Sequence, residues 1–176
     1  MTSALVFGQT ALAAVFLISA LPKVRRFAAF RSHVRATVPV LTGKPGVVAI
    51  GAVAAELLTA AALLYPGSAG WGSAMALVML ITFTAYLARL IAGGSSAACG
   101  CAGSGGQAAS WRHLLRNAIL LVLAAVLLIV LAAGGSGAPQ VIQYVVLAAP
   151  AAATGAVLLY LPEVLLFFRS PLSPRS

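Results

Sequence analysis

Cys99-Gly100-Cys101 contains the only two cysteines of the chain. Two thiols one residue apart can join only through a tight ring, and Gly100 between them accepts backbone angles that a side chain would forbid. So short a ring constrains the unfolded chain very little, which makes the pair better suited to chemistry than to stapling a fold. Strained, exposed disulfides are the easily reduced ones, so the expected chemistry is a reversible dithiol/disulfide that exchanges electrons with a partner. Arg112 and Arg116 follow closely and can lower a thiol pKa if the segment folds back over the next helix. Two other readings stand beside this one. Cys99 and Cys101 with His33 and His113, the only histidines, could hold zinc or copper(I), although the spacing matches no compact finger and no metal is the expectation. The cysteines could also be inert small packing residues.

Glu56 is the second residue with chemical potential, because Glu163 is the only other acid in the chain. It falls near the centre of an apolar run, where a charge costs at least ~2.5 kcal/mol and marks a functional interior. It is expected to face other helices. There it either locks them together, with Arg89 or Asn117 as partner, or accepts a proton coupled to thiol or quinone redox.

The elements that position these residues follow from composition. With 62% apolar residues, 7% charged and a mean hydropathy of +1.07, the chain cannot cover a water-soluble surface. It reads as an all-α, polytopic transmembrane helix bundle forming one integral membrane domain. Apolar runs at about 3–21, 47–65, 71–91, 114–133 and 141–161 approach or exceed the ~20 residues a helix needs to cross the hydrocarbon. Four form a core; the fifth is interrupted by Pro150, with a kinked helix expected. Trp71, Trp111, Tyr65, Tyr144 and Tyr160 sit near span ends, where amphipathic rings prefer to lie. No Lys or Arg precedes the first run and a basic cluster follows it, so it is expected to stay in the mature protein.

The net charge of +9 is carried by short loops beside apolar runs, which points to membrane flanks and not to nucleic acid. Lys23, Arg25, Arg26, Arg31, Arg35 and Lys44 follow the first run; Arg89, Arg112 and Arg116 flank the cysteine segment; Arg169 and Arg175 lie in the tail. The intervening turns 66–70 and 134–140 have none. The positive-inside rule then places the amino terminus outside, and the Cys-Gly-Cys segment (92–113) and carboxyl terminus in the cytoplasm. The basic connector 22–46 includes a candidate interfacial helix over 22–40, with Val24, Phe27, Phe30, Val34 and Val38 on one arc, suited to setting topology and touching anionic lipid.

Cys99-Gly100-Cys101-Ala102-Gly103, then Ser110-Trp111, then Arg116-Asn117 opening an apolar helix, resembles the methylamine-utilisation MauE family, related to DoxX-like redox-associated membrane proteins. Glu56 and the Pro22-Lys23 end of the first span fit the same pattern, and the likeness covers about the first four spans. Ala102 departs from it, since the family usually has an aromatic residue there. The resemblance implies a plasma-membrane protein that matures a disulfide-rich exported client alongside a thioredoxin-like partner; in the namesake setting the client is the small subunit of methylamine dehydrogenase. It implies Cys99 and Cys101 as the redox pair, with Gly100, Glu56, Arg112, Arg116 and Asn117 in support.

An exported client is oxidised outside, whereas the charges put the cysteines inside. The protein would then carry reducing equivalents across the membrane, with a site reachable from both faces or a quinone as second carrier. The main alternative is a non-enzymatic scaffold or chaperone that holds a partner through Gly/Ala-rich helix faces such as 51–62. A small transporter is a weaker third, without an internal repeat to build a pathway.

Overall fold

Apolar runs of this length leave the backbone no partner but itself inside a bilayer, so each becomes a helix. The computed structural model describes residues 2–37, 44–65, 67–93, 111–134 and 141–159. They form six helices: α1 (Thr2–Arg25), α2 (Phe27–Thr37), α3 (Pro45–Leu64), α4 (Ala69–Ala92), α5 (Trp111–Ala132) and α6 (Val141–Leu159). There is no strand among the described residues. Helices α1, α3, α4 and α5 are each long and apolar enough to cross a membrane, whereas the apolar stretch of α6 within the described residues, Val145–Leu158, is shorter. Pro150 lies inside α6 and does not end it.

Local chemistry explains the helix ends. Pro45 occupies the first turn of α3, where its missing N–H deprives no carbonyl of a partner. At the other end of α3 the chain turns through Gly67, whose φ of +93° favours glycine. The Ser68 hydroxyl donates to the Ala62 carbonyl at 2.8 Å, satisfying a group the helix end would leave open. This short turn makes α3 and α4 antiparallel neighbours. They touch closely: a Cβ at Gly72 would stand 2.6 Å from the Leu63 backbone nitrogen.

Between helices in lipid there is little hydrophobic driving force, so close packing and polar contacts hold the bundle. The tight core joins Leu12, Val15 and Phe16 of α1, Leu63 of α3, Leu80 of α4 and Leu120 and Leu127 of α5. The wide outward faces carry exposed apolar residues such as Ile50, Val78, Val122 and Ile129, as lipid-facing surfaces should. Helix α1 is the most enclosed of the four spans. On one flank α6 lies against it so closely that a Cβ at Gly155 would stand 2.8 Å from the Ala11 carbonyl oxygen.

One boundary differs from the sequence reading with consequences for the site. Pro22 to Arg25 continue α1, so the surface helix starts at Phe27 and not at Pro22. The junction is smooth because the Arg26 amide still donates to the Pro22 carbonyl at 2.9 Å. Val24 is thereby exposed on α1 and not part of the α2 apolar arc, which buries Val34.

Candidate functional site

The continuation of α1 carries Lys23 into the bundle. Its side chain is 4% exposed and forms an ion pair with Oε1 of Glu56, itself fully buried near the middle of α3. Ser19, one turn before Lys23, completes a triad: its Oγ donates to Glu56 Oε1 at 3.2 Å and accepts from Lys23 Nζ at 3.1 Å. The ammonium also lies over two aromatic faces, 5.1 Å from the Phe83 ring centre and 5.6 Å from that of Phe30. Such faces attract a desolvated cation through the ring quadrupole.

This arrangement corrects two expectations. Glu56 pairs with neither Arg89 nor Asn117: Arg89 is exposed near the end of α4, and Asn117 is engaged elsewhere. Lys23 is not a solvated connector charge. The physical reason is the same in both cases, since α1 runs four residues further than its apolar run and delivers the nearest cation to the carboxylate. The sequence signal was present but weak. Ser19 and Lys23 stand four apart, hence on one helix face, at the end of the first apolar run.

A second polar group lies beside the triad. Arg116 and Asn117, both buried in the second turn of α5, are joined by bonds from the guanidinium to Asn117 Oδ1 at 3.1 and 3.3 Å. The Asn117 amide reaches across to Thr84 Oγ1 of α4 at 3.4 Å. Between this group and the triad is a cavity of about 30 Å³, bordered by Ser19, Arg116 and Asn117 on its polar side and by Phe16, Phe83 and Leu80 on its apolar side. Its size is that of a bound water. It lies between the carboxyl-terminal half of α1, the middle of α4 and the second and third turns of α5, and residues 94–110 connect the last two helices.

Of the other sequence candidates, Cys99, Gly100 and Cys101 lie outside the described residues, as does Glu163. Arg112 is half-buried in the first turn of α5. His113 is buried, and His33 on α2 contacts Tyr86 Oη of α4 through Nε2 at 3.1 Å. Burial holds the His33 imidazole below its ordinary range. Among the described residues no three His, Cys, Asp or Glu side chains come together as a metal site would need.

A family profile described as methylamine utilisation protein MauE matches residues 1–130, close to three-quarters of the chain. The chain belongs to the MauE family. No curated protein and no solved structure gives a match. The matched region takes in the triad, the Arg116–Asn117 group and the cysteine segment, and leaves α6 outside. With four apolar helices of spanning length, this MauE protein is a multi-pass membrane protein.

Proposed function

We propose that this MauE protein is a membrane thiol–disulfide redox protein that uses Cys99 and Cys101 in the maturation of an exported disulfide-rich client, with a thioredoxin-like protein as exchange partner. The observation that carries the reading is the family match across a region containing both cysteines. The buried polar cluster of Ser19, Arg116 and Asn117, the last two near the start of the helix that follows the cysteine segment, adds support. In the reducing direction one thiolate attacks a partner disulfide and forms a mixed disulfide. The second thiol then displaces the partner, leaving Cys99–Cys101 oxidised and two partner thiols formed, so that electrons and protons balance without a further reagent. The reverse exchange oxidises the partner. Arg112 and Arg116 favour the thiolate by their charge.

A quinone would be an additional acceptor in this scheme. The cavity beside Ser19 is water-sized, smaller than a quinone ring. The plasma membrane as location, with the amino terminus outside and the cysteine segment cytoplasmic, belongs to the same proposal and rests on the one-sided distribution of Lys and Arg.

Labelling with a maleimide polymer in intact cells and in inverted vesicles, with and without prior reduction, tests the reading. Labelling that appears only after reduction is expected, and Cys99→Ser or Cys101→Ser should each abolish client maturation while membrane insertion stays normal. A double serine variant that still matures its client would sink the redox role and leave the scaffold.

A further inference from the structure

We propose that Glu56, Lys23 and Ser19 form a proton-exchange site inside the membrane, with a water in the cavity beside Ser19 as the group that brings and removes the proton. The site would take up and release a proton. Its existence is independent of the thiol reading; only its use in thiol chemistry rests on that reading.

Three observations carry the assignment. First, Glu56 is fully buried, yet its Oε2 has no hydrogen-bond partner among the described residues, whereas Oε1 has two. An orphan acceptor in a low dielectric is costly, and most costly for an ionised group. With Oε2 unclaimed the ionised form is incompletely stabilised, which brings the neutral form within reach. Second, Lys23 does not depend on Glu56 alone. Ser19 and the faces of Phe30 and Phe83 remain to hold the ammonium when the carboxylate is neutralised, so the site tolerates both protonation states. Third, Ser19 is the single side chain shared by the triad and the cavity wall. Its hydroxyl can pass its proton to Oε1 of Glu56 while taking another from a water in the cavity, which is in turn reprotonated by solvent and so is also left as it was. Each transfer leaves the serine as it was and moves one proton in total.

Of the titratable groups on neighbouring elements, His33 of α2 faces Tyr86 of α4, Arg31, Arg35 and Arg89 are exposed, and Arg116 of α5 borders the cavity. Lys23 is the one charged partner of Glu56 among the described residues.

Infrared spectroscopy of the full chain in proteoliposomes tests this, helped by there being only two acidic side chains, Glu56 and Glu163. A carboxylic-acid carbonyl band should grow as pH falls, persist in Glu163→Gln, vanish in Glu56→Gln and shift when water is replaced by D2O. Removing the hydroxyl relay in Ser19→Ala should slow that deuterium shift by roughly a hundredfold, as loss of a positioned proton-transfer group does. If Glu56→Gln fails to insert, Glu163→Gln and Ser19→Ala still assign the band and its route. A Glu56 that never shows the acid band, or an exchange rate unaltered by Ser19→Ala, would overturn the proposal. Titration and exchange retained in a Cys99→Ser/Cys101→Ser protein support the proton site whatever becomes of the thiol reading.

Discussion

Lys23 and Glu56, 33 residues apart in sequence, meet as a buried ion pair. Removing one partner of a buried pair strands the other charge, and the usual penalty is about 3–5 kcal/mol. Lys23→Ala should therefore lower the thermal midpoint in detergent sharply, and Glu56→Ala by less, because Ser19 and the Phe30 and Phe83 rings still hold the ammonium. The double change Lys23→Met with Glu56→Leu should recover most of the loss, because it removes both charges and keeps the volume. The recovery, read by melting curves, isolates the electrostatic part of the contact. His33 offers a separate test by pH. Burial holds its folded-state value below the ordinary one of about 6.5, so its packed form is neutral. Stability from that packing is complete above the ordinary value and drains away as pH falls below it. Melting curves of the wild type should decline on mild acidification more steeply than those of His33→Gln.

At the level of elements, α6 is held against α1 by backbone proximity and not by polar bonds to it among the described residues. Gly155 is where the two helices come closest, and the atom a side chain would strike is a backbone oxygen that cannot rotate away. Gly155→Val should push α6 off α1 and lower the melting temperature, whereas a valine at Gly51, where nothing lies within 4 Å, should be tolerated. Helix α2 illustrates how an element boundary decides chemistry. Had it begun at Pro22, Lys23 would have stood on a surface helix with the arginines. Because α1 continues to Arg25, the lysine points into the bundle and Arg25 and Arg26 are left exposed.

For the molecule as a whole, the MauE match ends at residue 130, and the triad, the cavity and the Arg116–Asn117 group all lie on α1 to α5. Helix α6 packs on α1 and contributes no bond to those groups among the described residues. A chain ending at Gly134 should therefore still insert and retain the Glu56 proton signal, with reduced thermal resistance from the loss of cover over α1. Membrane fractionation, infrared titration and melting of the truncated protein would check the three parts of that expectation.

Hydropathy and run length were sufficient to identify an all-helical membrane bundle, since the cost of unpaired backbone in lipid leaves few alternatives. The isolated acid at position 56 and the Arg116–Asn117 motif were legible for the same reason, because polar residues in apolar runs have to be accounted for. Which cation would meet Glu56 was not legible. That depended on how far α1 extends past its apolar run and on how α1 and α3 are offset, and helix offset is set by side-chain packing that no local pattern encodes. The joining of Ser19, Arg116 and Asn117 around one cavity was likewise decided only in three dimensions, where α1, α4 and α5 come together.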